Sequence, residues 1–248
     1  MKKKGILIVA YEAVNTLNAV IERIPRETME GISEIFVFDD YSRDNTYYAA
    51  IGLKVVKGIE KLSIFKNEKN LGYGGNQKRG FQYAIERGYD IVALLHGDGQ
   101  YAPEYLPQLI EPLQKGEADM VMGSRMMGNP LVGGMPFYKY FGNRILTFLQ
   151  NKMLGTSLSE FHSGYRIYSC EALKKIPFAR FSDDFHFDTE ILIQFIDRGF
   201  RIREIPIPTY YGEEISRVRI FSYGKNVLKA SLEYMLYKRG YLKNYRYR

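Results

Sequence analysis

The sequence predicts an α/β protein built on a doubly wound, mostly parallel sheet. Three observations carry that expectation. Short apolar runs alternate with helical segments through the first half of the chain. Several runs end on polar pairs, Asp39/Asp40, His96/Asp98 and Ser124/Arg125. Open sheets of this kind bind ligands beyond the carboxyl ends of their strands. The 248 residues, 46% hydrophobic and 25% charged, suit one large domain or one domain with a short appendage.

GILIVAY (5–11) reads as a buried first strand. The opening MKKKGILIVAYEA superficially resembles a signal peptide, but its apolar run is short, Glu12 interrupts it, and no small-residue cleavage site follows. Residues 13–23 carry Val14, Leu17, Val20 and Ile21 near helical spacing. EIFVFDD (34–40) is a second strand, closed by YSRDNT with turn and N-cap chemistry. KLSIFKN (61–67) is a third strand, NLGYGG (70–75) a loop, 76–87 a helix and DIVALLH (90–96) a fourth strand. Pro103 starts the next helix, a position that tolerates proline. DMVMGSR (119–125) is the fifth strand.

The second half is less regular. GNPLVGGMP (128–136) is a Gly/Pro loop, 137–154 a helix, and SEFHSGYRIYS (159–169) a polar loop running into a strand. Residues 188–198 are helical, and FRIREIPIPTYY (200–211) is a strand pair or an edge strand, given its two prolines. From Tyr223 to Arg239, Leu228, Leu232, Met235 and Leu236 recur at i, i+4, i+7 and i+8, the signature of an amphipathic helix. A body over 1–215 with a basic amphipathic tail over 216–248 is the expected organisation.

Charge is unevenly spread. Residues 217–248 hold nine Lys or Arg against the single Glu233, which leaves the body near neutral although the chain carries +7. A nucleic-acid binder is expected to be basic throughout its domain, so that class is set aside. A basic tail on a neutral body fits peripheral contact with an anionic membrane or a partner, and leaves a homo-oligomer open. The lone Cys170 excludes an internal disulfide framework and fits a reducing cytoplasm. No apolar run nears the roughly 20 residues of a spanning helix. The expected location is therefore cytoplasmic, peripheral at the inner membrane face.

Chemistry concentrates at the strand ends. Asp39 or Asp40 can accept hydrogen bonds from a base or a ribose, or simply cap the next helix. NLGYGGNQKRG is neither a P-loop nor a GxGxxG fingerprint; Lys78 could face phosphate or sit on a solvated helix face. HGDGQ is sharper. Asp98 suits a hard divalent cation, Mg or Mn, and Gln100 adds a neutral oxygen. His96 is either a nitrogen ligand, better suited to Mn, or a packed neighbour of the site. Arg125 suits bidentate phosphate binding. HSGYR adds His162, Ser163 and Arg166 in a polar segment, with His162 and His186 read first as structural.

The order of these pieces resembles the family 2 glycosyltransferases of the GT-A fold, closest to the dolichyl- and polyprenyl-phosphate sugar synthases and their bacterial relatives. The resemblance covers about residues 4–215, through VAYEA, VFDDYSRDNT, NLGYGGNQKRG, LLHGDGQYAPE, VMGSRM, HSGYRIYS and FDTEI with RGFRIREIPI. It implies a nucleotide-sugar half (1–125) and an acceptor half (126–215). It implies donor contacts from Tyr11, Glu12, Asp39, Asp40, Lys78 and Asp98, and metal held by Asp98, Gln100 and His96. It also implies acceptor contacts from Arg125, Lys139, His162, Ser163 and Arg166. The activity implied is inverting transfer of a hexose from a UDP- or GDP-sugar to a polyprenyl phosphate, in cell-envelope or polysaccharide glycan synthesis. Asp98, Arg125 and Asp188 are the catalytic candidates, with Asp188 as base if the acceptor is a sugar hydroxyl. A sugar nucleotidyltransferase or a non-catalytic nucleotide-binding module are the other readings. Two departures stand out. VAYEA has Val9 for the family's Pro and Ala13 where its Glu would be, and His96 replaces the first acid of Asp-x-Asp.

Overall fold

The computed structural model describes residues 2–210 and 219–243. Seven strands form one sheet in the order β3-β2-β1-β4-β6-β5-β7. They are β1 (Lys4–Ala10), β2 (Glu34–Asp39), β3 (Leu62–Lys66), β4 (Ile91–His96), β5 (Met120–Ser124), β6 (Arg166–Ser169) and β7 (Ile202–Pro206). All pairings are parallel except those of β6, which runs antiparallel between β4 and β5. The expected mostly parallel, doubly wound sheet is what forms, and β7 is an edge strand. The two halves of the body share that sheet, because β6 and β7 come from the second.

Alternation along the strands explains the double winding. Successive side chains face opposite sides, and in β1 both sides are apolar. Leu7 and Val9 join Phe36, Phe38, Val92 and Leu94 on one face. Ile6 and Ile8 join Ile35, Val37, Ala93 and Leu95 on the other. The first face is covered by α4 (Gly72–Glu86), α7 (Cys170–Lys174) and α8 (Phe187–Asp197). The second is covered by α1 (Leu17–Glu22), α3 (Thr46–Lys57) and α5 (Leu106–Gln114). A short α2 (Arg26–Gly31) precedes β2.

Two helix boundaries differ from expectation, and the first helix, expected over 13–23, is confined to Leu17–Glu22. Helix α4 begins at Gly72, so most of the glycine-rich segment is helical rather than loop. Its glycines make room for protein. A Cβ on Gly74 would lie 2.4 Å from the Ser182 carbonyl, and one on Gly80 would lie 2.4 Å from Leu7. The close approach that glycine permits is thus spent on α4 packing rather than on a phosphate.

The first part of the tail is helix α9 (Ile220–Lys238), docked on α8 and on α6 (Phe137–Leu154). It buries Val227, Ala230, Ser231 and Tyr234, not the stripe of Leu228, Leu232, Met235 and Leu236 that its periodicity picks out. Gln150 donates to Ser231 Oγ (3.2 Å), and Tyr234 and Lys238 both donate to Asp197 (3.1 and 2.9 Å). Residues 211–215 of the predicted body, and 216–218 and 244–248 of the predicted tail, lie outside the described residues. Among the described residues no helix is long and apolar enough to cross a membrane.

Candidate active site

One large cleft of about 1020 Å³ opens at the carboxyl ends of β1, β2, β4 and β5. It is lined on one side by Tyr11, Glu12, Asp40, His96, Asp98 and Gln100, and on the other by Arg125, Lys139, His162 and Asp188. Of the residues expected at the site, Asp39, Lys78, Ser163 and Arg166 do not line it.

The ends of β1 and β2 are stitched together. The fully buried Asp39 carboxylate accepts from the Ser42 amide (3.2 Å) and from its hydroxyl, whose oxygen accepts in turn from the Glu12 amide (2.9 Å). Burial raises the Asp39 carboxyl above its ordinary range, against the bonds from Ser42. Asp39 therefore positions the turn at Glu12 rather than reaching a ligand itself. Glu12 (φ 50°) and Tyr41 (φ 60°) both occupy the left-handed region that non-glycine residues seldom adopt. Ala13 is buried in the core while Glu12 lines the cleft. The carboxylate on this strand end thus belongs to residue 12.

Asp40 lines the cleft and also anchors the loop before α4. Its oxygens accept from the Leu71 amide (2.8 Å), the Gly72 amide (2.9 Å) and Asn67 Nδ2 (2.9 Å). Lys78 points elsewhere. It donates to the Phe181 carbonyl and to Asp183 Oδ1 (2.8 Å), tying α4 to the segment before α8.

At the end of β4, Asp98 and Gln100 line the cleft, and the Gln100 amide donates to Asp98 Oδ1 (3.1 Å). His96 is walled by Tyr73 and Tyr101, with ring centroids 5.5 and 5.3 Å away. Its Nε2 is buried without a hydrogen-bond partner and faces Gly164, where an added Cβ would sit 3.0 Å from it. That nitrogen is packed against backbone and is not presented as a metal ligand. Among the described residues no group of three or more His, Cys, Asp or Glu could hold a metal ion. Of the expected trio, Asp98, Gln100 and His96 all line the cleft, with His96 Nε2 turned toward Gly164.

The opposite wall is a network joined over long sequence separations. Arg125 donates to Glu160 Oε1 through Nη2 (2.5 Å) and Nε (3.2 Å), and to the His162 carbonyl (3.1 Å). Its backbone amide donates to Glu160 Oε2 (2.7 Å). Burial favours the neutral form of Glu160, but the Arg125 guanidinium outweighs it and holds the carboxyl below its ordinary value. Burial pulls the His162 imidazole down to about 4, so it is neutral at pH 7. Its Nδ1 shares a hydrogen bond with Tyr223 Oη (2.9 Å), which brings α9 into the cleft wall. Lys139 lies close enough to Arg125 that partial burial and that cation lower its ammonium.

Asp188 is nearly buried. Its Oδ2 accepts from the Tyr73 hydroxyl (2.7 Å), while Oδ1 is buried without a partner. Burial, and then the Asp188 charge, push the Tyr73 phenol far above its ordinary value, so Tyr73 remains a donor. Arg166 is a fully buried clamp. It donates to the carbonyls of Ser163 (2.8 Å), Asp188 (2.6 Å) and Phe161 (2.9 Å). Ser163 is buried beneath it. Both contribute by fixing the backbone under Asp188 and His162 rather than by facing the cleft.

Sequence reasoning missed Tyr73, Tyr101, Glu160 and Tyr223. The first three lie inside the segments that stood out, but glycines, acids at strand ends and histidines drew the attention there. Tyr223 sits in the tail, where only helical periodicity was readable.

A polar cleft at the carboxyl ends of a doubly wound sheet is the usual place for a nucleotide-type ligand in such folds. Residues 5–177 match the family described as Glycosyl transferase family 2, and the chain belongs to that family. It is 29% identical over 224 residues to the UDP-N-acetylglucosamine–dolichyl-phosphate N-acetylglucosaminyltransferase of Methanococcus voltae, covering 84% of this chain and 86% of that one. It is 28% identical over 215 residues to the undecaprenyl-phosphate mannosyltransferase of Micrococcus luteus, covering 86% of each. The fold matches glucosyl-3-phosphoglycerate synthase of Mycobacterium tuberculosis, crystallised with Mn2+, UDP and glucosyl-3-phosphoglycerate. That match has a TM-score of 0.67 at 19% identity, over 96% of this chain and 80% of the other.

Proposed function

We propose that this protein transfers a hexose from a nucleoside-diphosphate sugar to a polyprenyl phosphate, with inversion at the anomeric carbon. The observation that carries the reading is the two-sided cleft: carboxylates at the ends of β1, β2 and β4 face Arg125 and Lys139 across one continuous space. The names of the two sequence relatives, both transferases to lipid phosphates, support the choice of acceptor.

In this reading Tyr11, Glu12 and Asp40 receive the nucleoside. Asp98 and Gln100 are the residues that would hold a divalent cation beside the diphosphate. A single protein carboxylate fits that arrangement, since a cation so bound draws most of its ligands from substrate. The cation supplies charge stabilisation to the leaving diphosphate. Arg125 and Lys139 receive the acceptor phosphate. Glu160 fixes the Arg125 fork through two bonds, so the guanidinium is oriented before substrate arrives. The acceptor oxygen attacks the anomeric carbon as the bond to the diphosphate breaks. A phosphate is anionic near pH 7 and needs no base.

Asp188 then serves as an acceptor for a hydroxyl of the donor sugar, through the oxygen that Tyr73 leaves open. Its unpartnered buried Oδ1 supports that assignment. The same oxygen favours one second reading: with a sugar-hydroxyl acceptor, Asp188 takes the proton. A lipid-linked acceptor also implies peripheral contact with a membrane.

Isothermal titration of UDP and GDP, with and without Mn2+, tests the donor half. Metal-dependent binding to the wild type and its loss in Asp98→Ala is the expected result; absence of binding to either nucleotide overturns the reading.

A further inference from the structure

Helix α6 is amphipathic the wrong way round. Its buried positions are mostly polar: Asn143, Thr147 and Gln150, with Leu154 the one apolar residue among them. Its outward positions are large and apolar: Phe137 is 70% exposed, Phe141 57%, Ile145 44% and Phe148 60%. These four recur at i, i+4, i+8 and i+11, so they form one stripe along the helix. Phe137 and Phe141 stack on each other, with centroids 6.3 Å apart. Helices α4, α5 and α8 bury their apolar faces; α3 exposes Tyr48, Ile51 and Val55, and α6 exposes a longer stripe that is mostly aromatic. A contiguous exposed stripe of this kind marks an interaction surface.

Charge identifies what it meets. Residues 137–154 contain Lys139, Arg144 and Lys152 and no Asp or Glu. Arg144 and Lys152 are exposed, and Lys152 lies over the Phe148 ring (5.8 Å). Aromatic and aliphatic side chains flanked by cations suit the interface of an anionic bilayer. A second copy of the same face would set cation against cation. Position agrees. Lys139, Asn143 and Leu146 of the same helix line the cleft, and the exposed loop residues Leu131 and Val132 lead into it.

We infer that the outer face of α6, rather than the C-terminal tail, is the surface that docks this protein on an anionic membrane, with the cleft opening beside it. This deepens the proposed function by giving the lipid phosphate a route to Arg125, yet it rests on α6 alone and can fail separately.

The test is co-sedimentation of the full chain with phosphatidylglycerol/phosphatidylcholine vesicles and with phosphatidylcholine alone. Two variants are compared, Phe141→Ser with Phe148→Ser, and Lys243→Gln with Arg246→Gln and Arg248→Gln. Phe141 and Phe148 are not among the cleft-lining residues, and metal-dependent UDP binding monitors the fold of both variants. Wild type binds anionic vesicles preferentially. The Phe variant loses roughly tenfold or more in partitioning while retaining nucleotide binding, because two buried aromatic side chains are removed from the bilayer. The tail variant changes about twofold or less, an expected result set by loss of peripheral charge only. Three outcomes overturn the inference: no binding by wild type, equal binding by the Phe variant, or a concentration-dependent dimer in ultracentrifugation that the Phe variant abolishes. Loss of UDP binding by wild type would instead sink the donor reading and leave the docking face standing.

Discussion

The two walls of the cleft are made differently. In the proposed reading, the donor wall is assembled from residues that directly follow β1, β2 and β4, so neighbours in sequence are neighbours in the site. The acceptor wall is assembled from pairs far apart in the chain: Arg125 with Glu160, Tyr73 with Asp188, His162 with Tyr223. The first wall presents acids toward a ligand. The second spends Glu160 and Asp188 on holding its own donors in place. A metal-dependent nucleotide site needs exposed carboxylates, whereas a phosphate site needs cations whose direction is fixed beforehand. The contrast predicts that changes on the donor wall cost binding, and changes behind the acceptor wall cost stability and turnover.

The largest effect is expected from Asp98→Ala. It removes the one carboxylate at the end of β4 and lowers kcat/KM by about 10²–10³-fold. Metal-dependent nucleotide affinity is lost and thermal stability little changed; calorimetry beside differential scanning fluorimetry reads both. Glu160→Ala should behave in the opposite way. It strands a largely buried guanidinium (side chains 14% and 0% exposed) and costs about 3 kcal/mol in denaturant unfolding, with UDP binding retained. A variant that loses UDP binding but not stability would break the comparison.

His162 supplies a pH signature. Its folded value of about 4 lies below the ordinary histidine range, so the unfolded chain binds the extra proton first as pH falls. Its contribution is complete above about pH 6.5 and is lost as the pH drops toward 4. The loss is on the order of 3 kcal/mol. Urea titrations of wild type and His162→Gln at pH 7 and pH 4.5 should show a steeper acid loss in wild type. Tyr73→Phe comes next. It leaves Asp188 Oδ2 buried without its donor and costs about 1–3 kcal/mol, seen mainly in kcat if Asp188 faces the reacting sugar. Tyr223→Phe removes one hydrogen bond between α9 and His162 and costs about 1 kcal/mol. An effect on turnover with none on nucleotide binding sharpens the assignment of α9 to the acceptor wall.

What could be read from sequence follows the same divide. The strands before β6, their order along the chain and the acids at their ends were legible because an apolar run broken by polar residues is a local signal. The insertion of β6 between β4 and β5 was not, since strand order is set by contacts between distant segments. Arg166 illustrates the limit at the site. An Arg in a polar, glycine-containing segment has the same sequence appearance whether it binds phosphate or clamps three carbonyls. Lys78 was ambiguous for the same reason, and only the position of Asp183 decides it. The inverted amphipathicity of α6 was hidden because periodicity reveals that a helix has two faces, not which one turns inward. In α9, likewise, the stripe of leucines is not the face that packs.

The central claim is that the basic wall receives a phosphate. Sugar transfer from a panel of UDP- and GDP-hexoses to undecaprenyl phosphate and to undecaprenol, read by mass spectrometry, tests it most directly. The account predicts a glycosyl-phospholipid from the phosphate and none from the alcohol, with the phosphate product reduced in an Arg125→Ala/Lys139→Ala variant that still binds nucleotide. Equal transfer to the alcohol, or a product indifferent to loss of both cations, would contradict it.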